Sequence, residues 1–367
     1  MQYDLRSLNC QTNARTTATV GKMIRTPYLL YLGSTPDPLS IKTSRGIAMF
    51  RPDECVGEFS RPPGNLTLGF DRMGFPEAAA KGAKTLLLGV ASAGGALNDE
   101  LIGDAEAALD AGLDVASGLH ARLRDVPRLV VAAERNGRTL IDVRDPAADL
   151  KVGTGRPRAG LRLLTVGTDC SVGKMVSTLC IEKTMRDRGY SADFRATGQT
   201  GIFIAGSGVP LDAVIADFIS GAIEQLSPDR HDGGWDLIEG QGSLFHPSFA
   251  GVSTGLLHGA QPDAIVICHD PLRKHMRGLP DFKVPSLKQT IAANLEVARL
   301  TNPEVIPVGV ALNTSCMTES EGRELCARTF DETGLPCTDP YAHGADPIVD
   351  RIDECFGSSR PDTLRSA

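Results

Sequence analysis

Leu163-Leu164-Thr165-Val166-Gly167-Thr168-Asp169-Cys170-Ser171-Val172-Gly173-Lys174-Met175 is the stretch that decides the fold. An aliphatic run enters a loop of small residues. The loop ends in Gly-Lys, and a helical pattern opens at Met175 and runs to about Arg188. Strand, small-residue turn and helix in that order bring backbone N–H groups, the positive end of a helix and one lysine to a single point, which suits a phosphate. Thr168, Asp169, Cys170, Ser171, Val172, Gly173, Lys174 and Met175 are therefore the expected cradle. Two departures restrict its chemistry. The spacing Gly167-x5-Gly173-Lys174 is one residue longer than usual, so Thr168 falls where the first glycine normally stands. Met175 occupies the position at which a Ser or Thr hydroxyl ordinarily holds Mg²⁺. A thioether is a poor ligand for a hard cation. The loop is expected to hold a phosphate or pyrophosphate without metal-assisted transfer of a γ-phosphoryl group, and no metal is expected.

Around the loop, the second half of the chain alternates. Strands are predicted at Arg162–Gly167, Ser191–Ala196, Asp236–Glu239, Ala264–His269 and Val305–Ala311, with helical segments between most of them. Ser286-x-x-Gln289 and Thr318-x-x-Glu321 are capping boxes that mark two helix starts. In the first half, strands are predicted at Tyr28–Gly33, Arg45–Phe50, Thr85–Ala91, Leu129–Ala133 and Thr139–Asp142. A helix is predicted over Asn98–Ala111, where Leu101, Ile102, Ala105, Ala108 and Leu109 share one side. The turn Ala91-Ser92-Ala93-Gly94-Gly95 suits either an anion or a sterically tight connection. The expected fold class is α/β with two doubly wound domains, because aliphatic strands alternating with helices build a parallel sheet covered on both faces. The aperiodic Gly, Pro and Arg run Val152–Gly160 places a linker at 151–160, between domains over 23–150 and 161–367. Residues 1–22 are polar and read as a flexible extension, or as preceding the true start at Met23.

Composition narrows the function. Of 367 residues 41% are hydrophobic and only 5% aromatic, so the core is aliphatic. A net charge of −7 argues against a general nucleic-acid or anionic-membrane partner. No apolar run approaches the roughly 20 residues of a membrane span. Nine scattered Cys without CxxC, and seven His without HExxH, point to reduced thiols in a cytoplasmic setting and to no metal site.

Gly167-Thr168-Asp169-x-x-Val172-Gly173-Lys174 resembles the loop of dethiobiotin synthetases and their P-loop relatives. Those enzymes also carry a strand ending in Glu-Gly-x-Gly, here Glu239-Gly240-Gln241-Gly242. A wider set of motifs adds Lys42-Thr43-x-x-Gly46, Pro52-x-x-x-Val56-Gly57-Glu58, Ala196-Thr197-Gly198-Gln199-Thr200-Gly201 and Asp270-Pro271-Leu272-Arg273-Lys274-His275. Over about residues 24–356 the chain thereby resembles a bacterial family long described as of unknown function, whose studied members are D-glutamate N-acetyltransferases. The resemblance implies a Rossmann-like N-terminal half, an altered P-loop NTPase-like C-terminal half, and acetyl transfer from acetyl-CoA to the α-amine of D-glutamate in D-amino-acid catabolism. It also implies a homo-oligomer.

The residues can be set against that chemistry. Coenzyme A carries a pyrophosphate and a 3′-phosphate, and a metal-independent loop suits either. An amino-acid substrate with two carboxylates needs two cationic anchors. Arg273 is the first candidate, with Lys274, Arg277 or Lys283 as the second, on a loop that follows a strand. The attacking amine must lose a proton. Glu239 is the candidate general base or ammonium-binding group, with a purely structural carboxylate as its alternative; His246 and His275 are alternative bases. Gln199 and Thr197 are expected to orient the substrate. Cys170 invites an acyl-enzyme, but no base lies beside it in sequence, so direct transfer is expected. Two other functions remain open: an ATP-dependent ligase or kinase related to dethiobiotin synthetase, against which Met175 speaks, and a non-catalytic nucleotide-binding regulator.

Overall fold

β1 (Tyr28–Gly33) is buried along its whole length, as a strand covered on both faces must be. It pairs in parallel with β2 (Cys55–Ser60) and β3 (Thr85–Leu88). Next come β4 (Asp114–Ser117) and β5 (Leu140–Asp142), giving a parallel sheet in the order β2-β1-β3-β4-β5. Four helices connect these strands: α1 (Lys42–Phe50), α2 (Phe75–Ala80), α3 (Asp99–Asp110) and α4 (Pro127–Asn136). The structure, a computed structural model, describes residues 24–38, 40–64, 66–90, 97–146 and 149–357. The N-terminal extension and the turn at Ala91–Gly95 lie outside the described residues. The chain divides into two compact units, one of residues up to Asp145 together with Ile202–Ser207, the other of Pro146–Gly201 and residues from Gly208 onward.

Two predicted strands of the first unit are helices. Arg45–Phe50 lies in α1, whose buried Thr43, Ser44, Ile47 and Ala48 repeat at helical spacing. Leu129–Ala133 lies in α4, which buries Leu129, Ala132 and Ala133. A short apolar run fits either period, and the flanks decide it: Pro127 opens α4, and Gly137 closes it in the left-handed conformation. The helix over 98–111 is present as α3, with the Asn98 side chain accepting from the Leu101 N–H at 2.8 Å.

The second unit holds a six-stranded parallel sheet. The elements after β5 run β6 (Leu161–Gly167), α5 (Lys174–Asp187), β7 (Ala192–Arg195), α6 (Gln199–Ala205, of which Ile202–Ala205 are grouped with the first unit), α7 (Ile219–Leu226), β8 (Trp235–Ile238), α8 (Ala250–Ala260) and β9 (Ala264–His269). An antiparallel hairpin, β10 (His275–Met276) and β11 (Leu279–Lys283), follows. Then come α9 (Leu287–Arg299), β12 (Ile306–Leu312), α10 (Glu319–Thr333), β13 (Cys337–Thr338) and α11 (Asp346–Phe356). The order β13-β12-β9-β6-β8-β7 reverses direction at β6. Loops leaving β6 and β9 therefore diverge to opposite faces, and the crevice between them is where an open α/β sheet takes its ligand. The core beneath is aliphatic as composition requires, with the fully buried Trp235 meeting Phe356 edge-on at 5.1 Å.

Residues 151–160 are fastened to the second unit. The N–H groups of Thr154 and Gly155 donate to Glu224, and the Arg158 guanidinium donates to carbonyls of Glu224, Ser227, Gly259 and Ala260. Both capping boxes are formed: Ser286 and Thr318 each accept from the third helical N–H, and Gln289 and Glu321 accept in return. Ser286→Ala removes one cap of α9 and is expected to cost about 1 kcal/mol. The check is a urea titration in which the midpoint falls with an unchanged m-value.

Candidate active site

The phosphate loop leaves β6 at Gly167 and re-enters helix at Lys174. Ser171 (φ 54°) and Gly173 (φ 99°) lie in the left-handed region, so successive N–H groups curl inward as in an anion nest. Gly173 stands at the N-cap of α5 and supplies no side-chain cap. Lys174 is buried, and its Nζ donates to the carbonyls of Asp169 and Gly242, each at 2.8 Å. Burial lowers the pKa of its ammonium, which neighbouring thiols and carboxylates partly restore.

Asp169 is fully buried inside this loop. Its Oδ1 accepts from the Cys170 N–H, and its Oδ2 accepts from Arg273 Nη1 at 2.9 Å and from the Arg277 N–H at 2.8 Å. Arg273 also donates to the carbonyls of Cys170 and Ser171 and to Asp270. The expected substrate anchor thus has its guanidinium engaged by the loop. It fixes the segment after β9 to the segment after β6 and neutralises a carboxylate that would otherwise repel phosphate. Arg277 reaches Ser171 Oγ, whereas Lys274 is exposed. His275 is exposed and pairs with Lys283 across the hairpin.

Glu239 directly follows β8 and is 4% exposed. Oε2 accepts from the N–H groups of Thr197 at 2.9 Å and Gly198 at 3.1 Å. Burial raises its carboxyl pKa to about 7, against the opposing pull of these two donors, Lys174 and Gln241. Glycines make this placement possible. A Cβ at Gly201 would lie 2.3 Å from Glu239 Oε2, and one at Gly240 would lie 1.7 Å from the Thr165 carbonyl oxygen. Thr197 is buried; its hydroxyl donates to the Glu239 carbonyl at 2.6 Å and is bonded by Gln241. Its backbone N–H and hydroxyl both hold Glu239 in place. Gln199 begins α6, one residue beyond Gly198.

His246 is buried and both ring nitrogens are engaged. Nδ1 accepts from the Ser248 N–H at 3.2 Å, so Nε2 carries the proton and donates to the Arg277 carbonyl at 3.2 Å. That leaves no lone pair for a base. Asp169, Cys170 and His246 do offer metal-capable atoms within 4.8 Å of one another, a grouping the sequence spacing does not reveal. The donor set is nevertheless occupied: Asp169 holds Arg273, His246 has no available nitrogen lone pair, and burial raises the pKa of the Cys170 thiol. His269, which the sequence reading passed over as a functional side chain, joins the loop through Nδ1, 2.9 Å from Thr168 Oγ1. Its desolvated ring has a lowered pKa.

A parallel sheet with its phosphate loop at the switch point defines the second unit as a P-loop domain, and the first unit's sheet is Rossmann-like. Two family descriptions coincide with these classes: a P-loop domain of unknown function, DUF1611, matches residues 151–349, and its Rossmann-like N-terminal companion matches 64–146. The chain belongs to this DUF1611 family. A protein of Tritonibacter scottomollicae named D-glutamate N-acetyltransferase is 51% identical, covering 90% of this chain and 99% of its own. One of a Pseudoalteromonas species bearing the same name is 49% identical, covering 89% and 98%. The crystal structure of a DUF1611 family protein from Anabaena variabilis superposes with a TM-score of 0.80 at 32% identity, covering 90% of this chain and all of that one.

The raised carboxyl has a consequence for stability. Between the ordinary carboxylate range and about 7, the native state keeps a proton on Glu239 that the unfolded chain has released. Native stability therefore falls as pH rises through that window and levels above it. The full contribution is about 3 kcal/mol. Glu239→Gln keeps an acceptor for both N–H groups and removes the titration. Urea unfolding at pH 5 and pH 8 is expected to show the variant gaining on wild type by up to that amount at the higher pH. An identical pH dependence in both proteins contradicts the assignment.

Proposed function

We propose that this chain is an N-acetyltransferase that moves the acetyl group of acetyl-CoA directly to the α-amine of D-glutamate. The observation that carries the reading is the pairing, just beyond the carboxyl ends of the neighbouring strands β6 and β8, of a phosphate cradle with a buried carboxylate poised near neutral pH. It is supported by the names of relatives at 51% and 49% identity across nearly the whole chain. The loop amides and Lys174 take a phosphate group of the donor. Glu239 receives a proton from the substrate ammonium, because a group with a pKa of about 7 is partly ionised at neutral pH and still basic enough to hold that proton. The freed amine attacks the thioester carbonyl and the C–S bond breaks; of the two protons the nitrogen gives up in all, one passes through Glu239 to the departing CoA thiolate and the other leaves to solvent. With Arg273 engaged by Asp169, the substrate carboxylates fall to Lys274, Arg277 and Lys283. His275 is a secondary candidate base.

A direct route also suits Cys170. A nucleophilic thiol at a helix start needs a lowered pKa, and burial raises this one. A catabolic role, a cytoplasmic setting and a homo-oligomeric assembly belong to the same proposal. Among the described residues no helix is long and apolar enough to cross a membrane.

Purified protein is expected to release CoA thiol from acetyl-CoA with D-glutamate, and absence of release in a series of D- and L-amino acids that includes D-glutamate contradicts the substrate assignment. Lys174→Ala should weaken acetyl-CoA binding about tenfold, or 1–2 kcal/mol for a lost charged hydrogen bond. Unchanged affinity removes the loop from the donor site. Cys170→Ser is expected to keep substantial turnover; a folded, CoA-binding but inactive variant points to an acyl-enzyme instead.

A further inference from the structure

At the edge of the second unit's sheet, a cleft of about 500 Å³ opens beside α10 and β13. Cys326 and Phe330 line it from α10, and Cys337 and Thr338 from β13. Cys326 is buried, Cys337 half-buried, and both are free thiols. Neither takes part in the chemistry proposed for the phosphate loop.

The two thiols line the same cleft as neighbours, and the polar groups beside Cys326 are the Cys337 thiol, the Asp339 backbone N–H and Arg323. These groups outweigh burial and hold the Cys326 thiol below its ordinary pKa range, whereas Cys337 is pushed up. The nucleophilic form is the thiolate, so Cys326 is the reactive member.

Both backbones are held in place. Cys326 sits mid-helix in α10, between the Thr318 capping box and the left-handed Gly334. β13 is pinned to β12 by the Val310 N–H to Pro336 carbonyl bond at 2.8 Å, and just beyond β13 Asp339 accepts the Thr314 N–H at 2.8 Å. Neighbouring thiols that line one cleft from two fixed elements need little movement to join. Among the described residues no third metal-capable side chain gathers with these two sulfurs within 4.8 Å, so oxidation rather than metal capture is the chemistry this pair suits.

We propose that Cys326 and Cys337 are a redox pair that closes to a disulfide, fastening α10 to β13 when a peroxide enters the cleft. The Cys326 thiolate attacks one peroxide oxygen. The O–O bond breaks, leaving a sulfenic acid on Cys326 and a hydroxide that takes up a proton to become water. The Cys337 sulfur then attacks Cys326, the S–O bond breaks, and the second oxygen leaves as water with the Cys337 proton. One hydrogen peroxide is reduced to two waters as two thiols become one disulfide. The pair is independent of the acetyltransferase reading and stands whether or not that reading holds.

The test uses the full chain, reduced, freed of reductant and treated with one equivalent of hydrogen peroxide, then alkylated and digested with trypsin without reduction. Cleavage after Arg323 and Arg328 releases the two cysteines on separate peptides. A peptide pair joined through Cys326 and Cys337 is expected, formed ahead of oxidation at exposed Cys316 and lost on treatment with a phosphine. In Cys337→Ala, Cys326 is expected to stop at the sulfenic acid, trapped by dimedone. Recovery of both cysteines alkylated while Cys316 is oxidised overturns the proposal. The wild-type digest needs no variant, so a folding defect in Cys337→Ala leaves the test intact.

Discussion

The buried ion pair between Asp169 and Arg273 is the contact on which the rest of the site depends. A carboxylate inside an anion-binding loop is a liability unless its charge is cancelled, and at 0% exposure water does not cancel it. Arg273 does so at 2.9 Å while its other bonds hold the carbonyls of Cys170 and Ser171. The Arg277 N–H adds a third donor to the same carboxylate. The loop after β6 and the segment after β9 are thereby joined across the switch point. With Asp169 neutralised, Lys174 and the loop amides set the sign of the field that a phosphate meets.

The second constraint is steric and falls on Glu239. Its carboxylate reaches the N–H groups of Thr197 and Gly198 only because Gly201 leaves room for it and Gly240 lets the chain pass against Thr165. The resulting desolvation raises its pKa to about 7, the range a proton acceptor at neutral pH requires. The glycines that composition shows in abundance serve the site here, by close approach rather than by flexibility.

Local chemistry was legible in the sequence, and long-range chemistry was not. All five strands predicted in the second half are present, β9 and β12 as nearly continuous apolar runs and the charged-residue-bearing β7 and β8 within the regular alternation of strand and helix. The two helices misread as strands in the first half were short apolar windows, and Pro127 and Gly137 held the answer for one of them. β2 was missed because Gly57 and the buried Glu58 break its apolar pattern; Glu58 is accommodated by the Leu68 N–H at 2.7 Å. The phosphate loop could be read directly, since thirteen consecutive residues encode it. The bond from Arg273 to Asp169 could not be read, because the two lie 104 residues apart. The full engagement of His246 depends in the same way on Arg277, 31 residues distant.

The central claim is that an altered phosphate loop, lacking the hydroxyl that would hold Mg²⁺, serves an acyl donor and not a nucleoside triphosphate. Calorimetric titration of the full chain with CoA and, separately, with ATP, each in EDTA and in excess Mg²⁺, tests it most directly. The account predicts CoA binding of equal affinity in both buffers, tighter than ATP in either. Tight, Mg²⁺-dependent ATP binding with no measurable affinity for CoA would contradict it.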